Sequence, residues 1–407
     1  MRIAVWHNLP SGGGQRALYD HVRGLVQAGH EVEIFSPPSA DRKTLDINAL
    51  APYHEVPLRP ARLSRGDVPA WLCRAVPELP MAIPAFSLSA MDEHCRVVAK
   101  KVNAGGFDVL FSGSCMEFNA PPIARYVSIP TVLYLQEPHR LLYEAPNIWG
   151  RALPALSPRT VVFRAVDLLE VGNARRQVRE ERENAAAFGT ILVNSFFSAE
   201  SVARAYDLPS RVCYLGVDPS LWRLEHRDPG ATSVVGVGAV VPHKRIDFVL
   251  EAVAAGGLCC RLSWIGNDAD PEYAAKLRER ADKLGVEFTL HVALTHGEML
   301  EVLAEASLLA YAPRLEPFGY APLECGAAGI PTVAVAEGGM RETVVDGVNG
   351  LLVRRDPKEM GSAIRALLED EPLRGCLGEG AKKVVAERWS LEAATRRLEA
   401  ELSRAVR

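Results

Sequence analysis

The sequence has 407 residues, 48% of them hydrophobic, which is longer than one ordinary domain and enough to bury two sizeable cores. A net charge of −4 spread over 24% charged residues provides no basic field, so nucleic acid is not an expected partner and small molecules fit better. No run of about eighteen apolar residues occurs, which excludes a membrane-spanning helix.

The opening MRIAVWHNLP breaks at His7-Asn8 before a signal-peptide core can form, so it reads as a first strand. Cys73, Cys95, Cys115, Cys213, Cys259, Cys260, Cys325 and Cys376 lie without CxxC spacing. Together these features point to free thiols in a reducing cytoplasm. Short β-branched and aromatic runs then alternate with helical periodicity, the rhythm of βαβ units on a parallel sheet. Strands are expected at 2–8, 31–36, 108–112, 130–135, 190–194 and 212–216. Between the first two, 15–28 carries Leu18, Val22, Leu25 and Val26 on one helical face, and Gly29 closes it.

Turn residues cluster over 217–233, after which the alternation restarts with strands at 233–240, 261–266, 286–292, 307–312, 331–336 and 351–353. The reading is two doubly wound α/β domains, 1–218 and 219–389, followed by an amphipathic helix at 390–407. That helix has Leu391, Ala394, Leu398 and Leu402 on one stripe and is able to cap either domain. Two segments fit the rhythm poorly: 58–88, with Arg59, Arg62, Arg65 and Arg74 around Trp71-Leu72, and the arginine-rich 164–187. Such mixed faces can rest on anionic lipid, or they are ordinary solvated helices packing one side inward.

In doubly wound sheets ligands bind beyond the carboxyl ends of the strands. There the first half offers Ser11-Gly12-Gly13-Gly14-Gln15, whose free N–H groups at a helix start can receive a phosphate. It is not a GxGxxG fingerprint, and the second strand ends in Ser36 rather than an acid, which disfavours a hydride-transfer enzyme. In the second half, Lys244 and Arg245 open a helix after the strand 233–240; two cations at the positive end of a helix dipole are compensated by a polyanion such as a diphosphate, or else both side chains simply extend into solvent. Glu316 precedes a Pro317-Phe318-Gly319 turn and Glu324 follows on a small-residue helix, a pair of carboxylates suited to neighbouring sugar hydroxyls. Gly338-Gly339-Met340-Arg341-Glu342 reads as a structural turn without a direct chemical role.

Taken together these residues resemble glycosyltransferase family 4 over nearly the whole chain. The E-x7-E motif runs from Glu316 to Glu324, a GG..E turn is formed by Gly338, Gly339 and Glu342, and Asp346 to Val353 spell DGVNGLLV. The first half adds its glycine-rich loop, AGHEV at 28–32 and VNSFFSAE at 193–200. The resemblance implies a GT-B architecture: two Rossmann-like domains with parallel sheets facing across a cleft, and the C-terminal helix crossing between them.

It also implies a retaining transfer of a hexosyl group from a GDP- or UDP-linked donor to a saccharide, lipid-linked or small-molecule acceptor. Glu324 would hold the ribose and Glu316 the sugar hydroxyls, amides around Phe318, Gly319 and Tyr320 would meet the diphosphate or sugar, and Lys244 would neutralise it beneath the loop Gly12 to Gly14. Two positions depart from the family pattern. Ala239 stands where an arginine is usual, with Arg245 the nearest replacement cation and Arg16 the next; Gln136 stands where a histidine faces the donor sugar, with His139 three residues on as the candidate for its role.

Asp268-Ala269-Asp270 spells the cation-binding DxD of another glycosyltransferase fold, but at a strand end where this family has an ordinary loop, so no metal or other cofactor is expected. The competing readings are a nucleotide-sugar 2-epimerase and a catalytically weakened nucleotide-sugar-binding protein. The expected location is the cytoplasm, with peripheral contact at the inner membrane face through the first domain.

Overall fold

The computed structural model describes residues 1–42, 45–58, 84–143, 175–224, 233–257 and 259–407. Most of the two basic segments, with Arg59, Arg62, Arg65, Trp71 and Arg74, lies outside the described residues. The chain divides into a first unit, Met1–Cys213 with Thr395–Arg407, and a second, Tyr214–Ala394.

The first unit is built on β1 (Arg2–Asn8), β2 (Glu31–Ser36), β3 (Tyr53–Glu55), β4 (Val109–Cys115), β5 (Thr131–Tyr134), β6 (Thr190–Val193) and β7 (Arg211–Val212). These form one sheet in the order β3-β2-β1-β4-β5-β6-β7 with every pairing parallel. Both faces are covered. On one, Ala4 and Trp6 join Met91, Cys95, Val98 and Val102 of the helix Pro84–Ala104. On the other, His21 of the helix Gly13–Gln27 meets the ring edges of Phe111 and Tyr134. A strand covered on both sides must be apolar throughout rather than alternating, as IAVW in β1 is. The edge strand β3 was not foreseen, because three residues are too few to show a period of two.

The second unit repeats the plan with β8 (Ser233–Val237), β9 (Arg261–Gly266), β10 (Glu287–Val292), β11 (Leu308–Tyr311), β12 (Thr332–Val335) and β13 (Gly350–Val353). Their order is β10-β9-β8-β11-β12-β13, again all parallel. In each sheet the first strand lies between strands reached in opposite directions, β1 between β2 and β4, β8 between β9 and β11. The turns after β1 and β8 therefore sit at topological switch points, where crevices open in such folds.

The terminal helix Leu391–Val406 starts in the second unit, and from Thr395 it belongs to the first. It packs on the helix Gly13–Gln27 so closely that a Cβ at Gly24 would collide with the Thr395 side chain. Leu398 and Leu402 are fully buried. His30 Nε2 meets Glu399 Oε1 at 2.8 Å, and Arg211 Nη1 donates to Glu401 Oε2 at 3.1 Å. Among the described residues no helix is long and apolar enough to cross a membrane.

Candidate functional site

At the switch point of the second sheet, β8 ends at Val237, a turn from Gly238 follows, and the helix Ile246–Ala255 begins. The stem of Lys244 folds back over Gly238, whose missing Cβ would lie 3.5 Å from the Lys244 Cδ and Cε. That path carries the ammonium to Glu316, with Nζ 2.6 Å from Oε2 and both side chains less than one-fifth exposed. Lysine and glutamate, 72 residues apart in sequence, thus form one half-buried ion pair.

Glu316 follows Leu315, which holds a left-handed backbone at φ 47°. Non-glycine residues adopt that region sparingly, and such residues cluster at functional sites. Phe318 is 2% exposed and points inward, its ring edge-on to Trp389 at 5.6 Å and to Tyr320 at 5.7 Å. Phe318 is therefore an anchor for the turn, leaving its backbone as the part able to meet a ligand. Gly319, at φ 85°, caps the helix Tyr320–Ala327, whose first N–H groups have no partner within the helix. Glu324 lies on this helix and is buried. Tyr311, at the end of β11, has its phenol pushed well above the ordinary range by burial and then by the Glu316 and Glu324 carboxylates.

The glycine turn expected to be merely structural forms the floor under Glu316. Gly338 has φ 56°, and a Cβ there would fall within 3.0 Å of the Glu316 carbonyl oxygen; Gly339 N donates to that same oxygen at 2.8 Å. Glu342 accepts from Tyr214 Oη at 2.8 Å, and Tyr214 stacks edge-on against Trp389 at 4.9 Å. The sequence reading had no role for Glu337. In the structure its Oε2 receives Arg245 Nη1 at 2.9 Å, and Arg355 Nη1 lies 3.6 Å from its Oε1. Nothing in the sequence pairs 245 with 337.

Of the DxD residues, Asp270 caps the helix Pro271–Leu284 by accepting from Glu272 N and Tyr273 N, and Asp268 Oδ1 accepts from Ala269 N. Both carboxylates thus have structural work in the turn after β9. Ala239 lies in the turn after β8, its carbonyl accepting from Val241 N.

In the first unit, Gly12 and Gly13 are exposed at the start of the helix Gly13–Gln27, and a Cβ at either would meet nothing within 4 Å. Gly14 is packed by the Gln136 amide, whose Nε2 donates to the Gly14 carbonyl at 3.2 Å. Gln136 thus steadies the glycine loop. Arg16 pairs with Asp20 one turn along the helix, Nε to Oδ2 at 3.4 Å. His139 precedes the short helix Arg140–Tyr143, and partial burial lowers its pKa, which favours the uncharged ring.

Residues 225–384 match the family described as glycosyl transferases group 1. An uncharacterized glycosyltransferase of Methanocaldococcus jannaschii is 31% identical over a stretch covering 36% of this chain and 41% of its own length. A D-inositol 3-phosphate glycosyltransferase of Nocardioides is 29% identical, over 51% of this chain and 52% of its own. The chain therefore spans about half or less of the length of these two. A D-inositol 3-phosphate glycosyltransferase of Stackebrandtia nassauensis is 28% identical over 91% of this chain and 82% of its own. Among solved structures, Anabaena Alr3699/HepE, determined with UDP and glucose, superposes with a TM-score of 0.69 over 99% of this chain and 100% of its own at 17% identity, which establishes the shared GT-B fold. Residues 225–384 of the second unit are thus similar to glycosyl transferases group 1, and the fold of the whole chain is shared with the solved structure.

Proposed function

We propose that the protein is a retaining hexosyltransferase that takes its sugar from a GDP- or UDP-linked donor held on the second unit. The observation that carries this reading is the half-buried Lys244–Glu316 pair, with the buried Glu324 on the helix Tyr320–Ala327 that follows and the N-terminus of that helix at the Gly319 turn. A cation, a helix N-terminus and two carboxylates on one rim match the parts of a nucleoside diphosphate sugar: anion, anion, and two sets of neighbouring hydroxyls.

When the bond between the anomeric carbon and the β-phosphate oxygen breaks, negative charge grows on the phosphate and positive charge on the ring. Lys244 exchanges Glu316 for the phosphate and stabilises the leaving group, together with the N–H groups around Phe318 to Tyr320. Preorganised donors of this kind are worth more as the charge develops than in the ground state. Glu316, released, accepts from the sugar hydroxyls, and Glu324 from those of the ribose. The acceptor hydroxyl attacks from the leaving-group side and passes its proton to the departing phosphate, so no metal is required.

The acceptor is a saccharide, a lipid-linked saccharide or a small molecule; a lipid-linked one would be met at a membrane surface, with 58–88 and 164–187 as the candidate contacts. Incubation with a panel of labelled GDP- and UDP-hexoses and acceptors of these classes should give one glycosylated product with the donor's anomeric configuration. An inverted product overturns the retaining mechanism. Free sugar alone, or tight nucleotide binding without turnover, replaces transfer by the weakened binding protein, for which Ala239 is the motive. A donor changed only at C2 identifies a 2-epimerase.

A further inference from the structure

Lys244 and Arg245 are adjacent, yet they engage different carboxylates, Lys244 with Glu316 at 2.6 Å and Arg245 with Glu337 at 2.9 Å. Arg245 does so from a left-handed backbone at φ 52°, which turns its side chain away from that of its neighbour and starts the helix Ile246–Ala255. The two carboxylates are themselves tied. Gly339, two residues after Glu337, donates its N–H to the carbonyl of Glu316 at 2.8 Å. The contacts therefore close a ring, from Lys244 to Glu316, to the turn 337–339, to Arg245 and back along the chain to Lys244.

Both members of the Arg245–Glu337 pair are sheltered, with side chains 14% and 21% exposed. Arg355 stands near the other oxygen of Glu337 but is itself 60% exposed, so Arg245 supplies the sheltered compensation for that carboxylate. Drawing Arg245 to a donor phosphate would leave Glu337 short of its nearest counter-charge and would unfasten the turn that carries the Gly339 bond to Glu316. A half-buried carboxylate that loses its partner is penalised, which resists such a move.

We propose that Arg245 is a positioning residue and not the cation that makes up for Ala239: its ion pair with Glu337 fastens the turn bearing Lys244 to the turn beneath Glu316. This rests on the reading of Lys244 and Glu316 as the donor site. It also reverses the expectation that Arg245 contacts the diphosphate directly, and the two roles predict opposite results. If Arg245 were a phosphate ligand restrained by Glu337, neutralising Glu337 would free it and tighten nucleotide binding. If the pair is a strut, neutralising either partner loosens Lys244 and weakens binding.

The test uses Glu337→Gln, which keeps shape and removes charge, Arg245→Asn, which suits a left-handed backbone, the double variant, and Arg245→Lys, which keeps the charge. UDP and GDP affinities are measured by calorimetry. The reactivity of Lys244 toward an amine reagent is read by peptide mass spectrometry, with exposed Lys276 and Lys283 as references. The strut predicts that Glu337→Gln and Arg245→Asn each weaken nucleoside diphosphate binding and raise Lys244 labelling by about fivefold, the upper range for an ion pair that is not fully buried. The double variant should be no worse than either single one, and Arg245→Lys should be near wild type. Unchanged Lys244 labelling, additive losses, or tighter binding in Glu337→Gln overturns it. If the wild type binds neither UDP nor GDP, the donor-site reading fails, while the labelling arm still decides whether the pair holds Lys244.

Discussion

Replacing Gly339 by alanine separates what the backbone permits from what the packing permits. At φ −70° this position is open to any residue, so its own backbone predicts that alanine is tolerated. The tertiary structure predicts the reverse. A Cβ there would lie 2.8 Å from the Pro317 carbonyl carbon and 2.9 Å from the Phe318 Cα, and closer still to the Pro317 carbonyl oxygen. Ordinary contact begins at 3.4 Å, so the Glu316-Pro317-Phe318 turn must retreat by about 0.6 Å at the Pro317 carbonyl carbon and by more at its oxygen, and these backbone atoms have no rotamer to change. Overpacking of this kind costs about 1–3 kcal/mol, at about 2–4 °C per kcal/mol in a unit of this size. The displaced turn carries Glu316, so nucleoside diphosphate affinity should fall together with melting temperature. Differential scanning fluorimetry with and without UDP and GDP measures both. Gly297→Ala is the matched control, since it lies in the helix His296–Ala304 with nothing within 4 Å of the added Cβ, and should stabilise by up to about 1 kcal/mol. A Gly339→Ala protein that melts and binds like wild type refutes the account of the floor under Glu316.

Glu324→Ala removes a buried acceptor from the ribose position and should abolish measurable transfer while weakening donor binding; near-normal turnover would remove Glu324 from the site. Transfer should survive EDTA, because the clamp consists of Lys244 and backbone amides; a collapse restored only by a divalent ion would move the clamp to Asp268 and Asp270. Glu181, buried against Gln177, Tyr206 and the Asn119 amide, has its carboxyl pushed up to about 7 by desolvation, against the ordinary value of 4.5. The native state therefore holds a proton that the unfolded chain loses first. The stability this group contributes is fully present below about pH 4.5 and is lost as pH rises through 7. Relative to wild type, Glu181→Gln should gain melting temperature between pH 5 and pH 8, and a constant difference across that range would show that Glu181 is ionised in the fold. The buried His7 and His21, held down to about 4 and about 3 by burial, act in the opposite sense as pH falls below 6.5 and cancel in this comparison.

The sequence by itself determined the architecture, because parallel strands covered on both faces must be continuously apolar and each must be followed by a helix of period 3.6. Strands such as Arg2–Asn8, Glu31–Ser36 and Arg261–Gly266 lie where that rhythm puts them. The residues at the ends of β8 and β11 were legible for a related reason: strand ends in such sheets are where polar and glycine residues are free to serve a ligand, so Lys244, Glu316 and Glu324 stood out. Only the tertiary structure decided who holds whom. The pairing of Lys244 with Glu316 and of Arg245 with Glu337, the floor that Gly338 and Gly339 make beneath Glu316, and the grip of Gln136 on Gly14 join positions 22 to 122 residues apart. Periodicity reports which face of an element is buried, and a motif reports which residues recur together. Neither fixes the direction of the side chain leaving a left-handed Arg245, or of the chain that leads from a left-handed Leu315 into Glu316, and those directions set the partner each charge finds.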